Sequence, residues 1–227
     1  HGPGTYTATI RVTDNGTPAL SDFETITISA NEVNKPPVLA PIGAKVVNEQ
    51  TPLTFTAAAI DPDFPLNALT FSCNNCGSIG ASITAGGVFS WTPTEAQGQS
   101  TYQVTIVVTD NGTPSMSHSK TVTITVNEAN RAPVLVAVGD KSVDEETHLT
   151  FTATATDPDI PANVLTFSCD GCTAIGASIT AEGVFSWAPT VAQGGSSYRV
   201  TIIASDGSLT DEQYVALEVP APAGSDQ

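Results

Sequence analysis

The sequence predicts an all-β chain of tandem Greek-key β-sandwiches, on three observations. Thr, Val, Ser and Ala dominate, Met occurs once, and 18 Gly and 16 Pro punctuate the chain; β-branched and small residues between turn formers build short strands rather than helices. Apolar and polar residues alternate with a period of two, as in strands with one buried face. The chain also repeats itself. Asp61-Pro62-Asp63 returns as Asp157-Pro158-Asp159, Trp91 as Trp187, Tyr102 as Tyr198 and Asp110 as Asp206, each pair 96 apart (157−61, 187−91, 198−102, 206−110).

The common offset sets the domain organisation. Thr5-Tyr6 and Asp14 lie 96 before Thr101-Tyr102 and Asp110 (101−5, 110−14). Residues 1–33 are therefore read as the last two strands of one copy, 34–129 and 130–220 as complete copies, and 221–227 as a tail. A unit of roughly 100 residues and about seven strands has the size of an immunoglobulin-type sandwich; solenoid repeats are shorter, about 20 to 50 residues. A two-stranded hairpin is marginal alone, so the opening segment is expected to be a remnant of a longer chain or to pair with a neighbouring molecule.

Within one copy, Leu53, Phe55, Ala57 and Ala59 read as the inward face of one strand, Tyr102, Val104, Ile106 and Val108 of another, and Val122, Ile124 and Val126 of the next. Asp110-Asn111-Gly112-Thr113-Pro114, echoed by Asp14 to Pro18, supplies residues that tolerate positive φ and closes a hairpin of the last two strands. Tyr102 and Tyr198 open their strand, where sandwiches of this kind tie down a corner through a tyrosine hydroxyl. Trp91 and Trp187 follow Phe89 and Phe185 by two residues and share their face, so they are read as core and not as sugar-stacking platforms.

Charge is one-sided: 23 Asp and Glu against 7 Lys and Arg give a net charge of −16. That argues against nucleic acid, whose phosphates need cationic partners, and against anionic lipid. A membrane span is not expected either, because no apolar run approaches the 18 or so residues it needs. The sequence shows no signal peptide, so export is an inference. In a sandwich of this topology the second-to-third-strand loop, the sixth-to-seventh-strand loop and the start of the chain share one pole. Asp157, Asp159, Asp206, Asn127 and Asn130 are thus expected at the N-terminal pole of the last copy, with Glu49 of the preceding copy facing them. Gathering carboxylates without a cation is unfavourable through repulsion and desolvation. Asp, Glu and Asn oxygens without His or Cys select Ca²⁺ over zinc or copper, and a flexible oxygen set suits Ca²⁺ better than Mg²⁺. Taken singly, each acidic turn is also an ordinary turn that hydrogen-bonds its own backbone. Their coincidence with the Pro-stiffened, Asn-bearing linkers Asn31 to Pro37 and Asn127 to Pro133 favours calcium.

Val47-Asn48-Glu49, Asp61-Pro62-Asp63 with Asn67, Val108-Thr109-Asp110-Asn111-Gly112, the Asn127 to Pro133 linker, Val143-Asp144-Glu145, Asp157-Pro158-Asp159 with Asn163, and Asp206 follow one another in order. Spread over nearly the whole chain, they resemble the cadherin repeat in its bacterial and dystroglycan-type variants. The resemblance implies Ig-like/cadherin-like sandwiches that ligate calcium between successive repeats. It implies ligands Glu49, Asn127, Ala129, Asn130, Asp157, Asp159, Asn163 and Asp206 at the second linker. At the first linker it implies Asn31, Val33, Asn34, Asp61, Asp63, Asn67 and Asp110; the Asn after Asp-x-Asp would act through its carbonyl. Two departures lower ligand charge. The family's acidic turn before the sixth strand appears as Thr94-Glu95-Ala96-Gln97 and Thr190-Val191-Ala192-Gln193, and the linkers carry Asn where Asp is common. Fewer or weaker ions are expected, with the second linker filled more fully than the first, which lacks a Glu49 counterpart. Gly87 to Thr94 and Gly183 to Thr190 are more similar to the Ig-like repeats of bacterial surface proteins.

Cys73-Asn74-Asn75-Cys76 and Cys169-Asp170-Gly171-Cys172 invite zinc or redox readings. Zinc needs four ligands together, which pairs on separate copies do not readily supply, and a thioredoxin-like role needs a βαβ context. A local disulfide in each copy is favoured, and with it an oxidising compartment; closing so short a loop mainly pins it. His1, His118 and His148 show no partner spacing and no Gly-x-Ser-x-Gly elbow occurs, so no catalytic activity is expected. Asn15-Gly16-Thr17 and Asn111-Gly112-Thr113 match the glycosylation acceptor pattern, but a following Pro and a bacterial source argue against its use.

The expected function is a calcium-rigidified extracellular structural or adhesive array, secreted or on a bacterial cell surface, with calcium and neighbouring repeats of the same or like chains as partners. The runner-up is a set of polysaccharide-binding or self-associating accessory modules of a secreted polysaccharide-active protein. That would need an exposed row of Trp or Tyr, which the sequence does not show.

Overall fold

The computed structural model describes residues 3–221; His1 and most of the expected tail, 222–227, lie outside the described residues. The chain divides into two compact units, His1–Asn127 and Glu128–Gln227.

The first unit opens with a hairpin, Gly4–Thr13 against Ser21–Ala30, in which Tyr6 pairs with Ile28. The sandwich that follows repeats this register, Tyr102 pairing with Ile124 between Ser100–Asp110 and Ser117–Asn127. The surroundings differ. Ile10 and Val12 are 59% and 67% exposed, while Ile106 and Val108, 96 residues later, are 0% exposed.

In that sandwich one sheet has the order Lys45–Asn48, Ser117–Asn127, Ser100–Asp110, Leu69–Asn74, with the first pair parallel. Leu53–Thr56, Val88–Trp91 and Ser82–Ile83 form a second sheet, and Val38–Leu39 pairs with Ala59–Ile60. The second unit repeats the plan, with Lys141–Ser142, Thr210–Val219, Ser196–Ser205 and Thr166–Asp170 in one sheet and Leu149–Thr152, Val184–Trp187 and Ser178–Ile179 in another. Both are Greek-key, Ig-like β-sandwiches.

The inward faces hold as read, with one correction. Leu53 to Ala59 is not a single strand: Leu53–Thr56 pairs with Val88–Trp91, and Ala59–Ile60 pairs with Val38–Leu39. The break follows from Ala57, whose N–H bonds to Gly87 O at 2.8 Å. Gly87 has φ 89°, and a Cβ there would lie 2.7 Å from Ala57 O, so only glycine permits the approach.

Each core centres on its tryptophan. Trp91 and Trp187 are 3% and 1% exposed, and their Nε1–H groups donate to Ile79 O at 2.8 Å and Ile175 O at 3.0 Å. The rings of Tyr102 and Tyr198 meet them edge-on, and the Tyr102 hydroxyl donates to Gln97 O at 3.3 Å, the expected corner. The disulfides Cys73–Cys76 and Cys169–Cys172 are formed, with Cys76 and Cys172 buried in the cores.

The hairpin turns use another device than positive φ. No residue from Asp110 to Met116 has one; instead Asp110 Oδ1 accepts the N–H groups of Gly112 at 3.0 Å and Met116 at 2.9 Å. Asp14 does the same for Gly16 and Leu20. Gly112 is required by packing, because a Cβ there would collide with the Asn34 side chain.

Candidate metal centre

Asn34 is the hub of the N-terminal pole of the middle sandwich. It is 6% exposed; its Nδ2 donates to Asp110 Oδ2 at 3.1 Å and to Pro114 O at 2.9 Å, and its Oδ1 accepts from Asn67 Nδ2. Asp63 is 3% exposed, and its Oδ2 accepts the Lys35 N–H at 2.8 Å. Asp61 Oδ1 accepts the N–H groups of Asp63 at 3.0 Å and Asn67 at 3.3 Å. The remaining oxygens, Asp61 Oδ2 and Asp63 Oδ1, are buried and have no hydrogen-bond partner. Asn31, Glu32, Val33 and Asp63 line one cavity of about 270 Å³, so the linker runs beside Asp63.

The pole of the second unit is built alike. Asn130 Nδ2 donates to Asp206 Oδ2 at 2.9 Å, and its Oδ1 accepts from Asn163 Nδ2 at 2.8 Å. Asp159 Oδ2 accepts the Arg131 N–H at 3.0 Å and Asp157 Oδ1 the Asp159 N–H at 3.0 Å. Asp157 Oδ2 is buried without a hydrogen-bond partner. Ala129 lies in the stretch without regular structure before this pole.

Asn127 bonds within the first unit. Its carbonyl accepts the Glu49 N–H at 3.0 Å and its side-chain amide donates to Asn48 Oδ1 at 3.3 Å. Beside this strand end Glu49 and Glu95 of the same unit each offer a carboxylate oxygen, the two within 4.8 Å of one another.

Glu95 was not among the expected ligands. Glu95 stands in the turn read as a departure from the acidic pattern; the capping box of Thr94 and Gln97 shapes that turn, and the Glu95 carboxylate accepts from Gln50 Nε2 at 2.6 Å. In the last module Glu145 matches Glu49 (145−49 = 96), but Val191 stands in place of Glu95 (191−95 = 96).

The acids titrate according to these contacts. Desolvation first, and then the Asp63 carboxylate, raise the Glu32 pKa. Burial pushes Asp110 up but is outweighed by hydrogen bonds from Met116, Asn34 and Gly112, so its pKa is lowered. The N–H groups of Leu209 and Ser208 lower that of Asp206. A carboxylate with a depressed folded-state pKa contributes stability that is complete above its unfolded value and is lost as pH falls through the folded one. Asp206→Asn is therefore expected to flatten the acid limb of the last module's stability, followed by that module's folded backbone amide signals during denaturation between about pH 5 and pH 2.

Fold and acidic poles together define a protein of tandem Ig-like, cadherin-like repeats. Residues 34–127 and 130–218 each match the family model described as Bacterial Ig domain, and the chain belongs to that family. Mouse protocadherin Fat 2 is 26% identical over 239 residues, covering 94% of this chain and 5% of that protein. Chitinase A of Pseudoalteromonas piscicida is 29% identical over 169 residues, covering 68% of this chain and 18% of that protein. This chain thus spans a small part of the length of its curated relatives. Among solved structures, human CDH23 EC21–23 is similar in fold, with TM-score 0.53 at 20% identity, covering 94% of this chain and 73% of that one. No helix among the described residues is long and apolar enough to cross a membrane.

Proposed function

We propose that the chain is part of a calcium-rigidified, non-enzymatic repeat array, with one partial repeat at 1–33 and complete repeats at 34–129 and 130–220. It serves as the stalk of a large bacterial surface adhesin or a similar extracellular protein. The observation that carries this reading is the set of buried carboxylate oxygens without a donor, Asp61 Oδ2, Asp63 Oδ1 and Asp157 Oδ2. An anionic oxygen out of water and without a hydrogen-bond donor is costly, and a hard cation removes the cost.

The donors present fit calcium. They are carboxylates, amide oxygens and carbonyls, with no His or Cys among them. Asp61, Asp63, Asn67, Asp110, Asn34, Asn31 and Val33 would hold the ion at the first linker. Asp157, Asp159, Asn163, Asp206, Asn130, Ala129, Asn127 and Glu49 would serve the second, with Glu95 added to Glu49. Calcium supplies charge neutralisation; the protein's own residues supply the turns that aim the oxygens. An exported, disulfide-bonded array fits an oxidising extracellular setting.

The runner-up, accessory modules of a polysaccharide-active protein, draws on the likeness to chitinase A. It lacks a tryptophan platform, since Trp91 and Trp187 are buried. Small-angle scattering of the whole chain tests the leading reading: the profile is expected to change when a chelator strips calcium and to return when calcium is restored. An identical profile in both conditions removes calcium rigidification.

A further inference from the structure

The two N-terminal poles carry matching acids and amides, Asn34, Asp61, Asp63, Asn67 and Asp110 against Asn130, Asp157, Asp159, Asn163 and Asp206. They differ at the linker residue that follows the hub asparagine: Lys35 in the first, Arg131 in the second (131−35 = 96). At both poles that residue's N–H donates to the second acid of Asp-Pro-Asp, at 2.8 Å to Asp63 Oδ2 and 3.0 Å to Asp159 Oδ2, the latter bond shared with Asp159 Oδ1 at 3.3 Å. Beyond the backbone the two diverge. Arg131 Nε lies 3.4 Å from Asp159 Oδ1, and its Nη2 donates to Pro158 O. The corresponding oxygen of the first pole, Asp63 Oδ1, is buried with no hydrogen-bond partner.

We propose that Arg131 is a tethered cation that holds the Asp159 oxygen which a divalent ion would need, so that the pole of the last module binds such an ion only by displacing its guanidinium. This rests on the reading that the acidic poles are cation sites, and goes beyond it by grading them. Three features support the role. The Asp159 side chain is 2% exposed, so an ion pair there is poorly screened. Guanidinium is a planar donor suited to carboxylate, and a charge-assisted bond competes directly with a metal for the oxygen. Arg131 itself is 41% exposed, which leaves it room to swing into water when an ion arrives. Lys35, a flexible point charge, instead bears on Glu32, whose pKa it lowers against the larger effects of burial and Asp63. The device works against the fuller occupancy of the second linker that its Glu49 would favour.

Calcium alone, titrated into the whole chain, tests this through backbone amide shifts read separately at Asp61, Asp63 and Asn67 and at Asp157, Asp159 and Asn163. Arg131→Gln is expected to tighten the last module's pole by about tenfold, which is about 1.4 kcal/mol, and to leave the middle pole unchanged. Arg131→Lys, which reproduces the first pole, is expected to tighten it in the same direction and guards against an effect of lost packing. Lys35→Arg is expected to weaken the middle pole. If the middle pole titrates while the last responds to calcium identically with and without Arg131, the proposal is overturned and the cation-site reading stands. If neither pole of the parent chain or of Arg131→Gln shows a saturable shift, the cation-site reading and this proposal fall together.

Discussion

Trp187→Ala is expected to destabilise the last module by about 3–5 kcal/mol, the largest effect of any single substitution considered. The ring is 1% exposed, packs edge-on against Tyr198 at 5.6 Å, and donates its N–H to Ile175 O at 3.0 Å. Truncation removes that packing, leaves a cavity between the sheets and takes one of two donors from the Ile175 carbonyl, which keeps the Gln193 amide at 3.2 Å, and these losses add. A module of about 100 residues has roughly 5–15 kcal/mol in all, so the variant sits near its unfolding midpoint in water. The chain contains two tryptophans, one in each module, so in this variant fluorescence reports Trp91 alone. Guanidinium denaturation followed by circular dichroism is expected to show an early phase from the last module, while the Trp91 transition keeps its midpoint. A loss under about 1 kcal/mol, or a matching shift in the Trp91 transition, would show that Trp187 is not the centre of an independent core.

Much of this fold was readable from repeats and alternation, because both report burial. The 96-residue offset aligned Trp91 with Trp187, and period two placed Val104, Ile106, Val108, Val122, Ile124 and Val126 inward, where each is at most 1% exposed. Alternation does not reveal which partner a strand pairs with. Leu53 to Ala59 keeps its period while its pairing changes at Ala57, a change made by the Gly87 backbone and invisible in the run itself. The acidic turns were legible as clusters for a similar reason: Asp61, Asp63 and Asp110 recur with the repeat. Glu95 was not, because its counterpart is Val191 and only the folded turn aims it at Glu49. Arg131 carries no signal as a linker residue, because which Asp159 oxygen its guanidinium reaches is a detail of angstroms that no spacing encodes.

Glu49→Gln is expected to have opposite effects with and without calcium. Glu49 is 2% exposed and offers an oxygen within 4.8 Å of one from Glu95. Two such charges repel by roughly 3 kcal/mol at an effective dielectric near 20. In chelator the amide relieves that repulsion, and the middle module, followed by its own folded backbone amide signals during denaturation, is expected to gain about 1–3 kcal/mol. In excess calcium the sign reverses. A cation at 100 times its dissociation constant stabilises by about 2.7 kcal/mol, and replacing a charged ligand by a neutral one weakens the site, so the calcium-dependent rise in melting temperature is expected to shrink. Glu145→Gln is the internal comparison: Val191 replaces the second carboxylate there, and its substitution is expected to respond far less to chelator. A uniform loss of stability for Glu49→Gln in both conditions would mean that the carboxylate is held by hydrogen bonds and serves the fold alone. The reversal of sign is what separates a cation ligand from a buried structural acid, since only the former becomes a liability when the ion is removed.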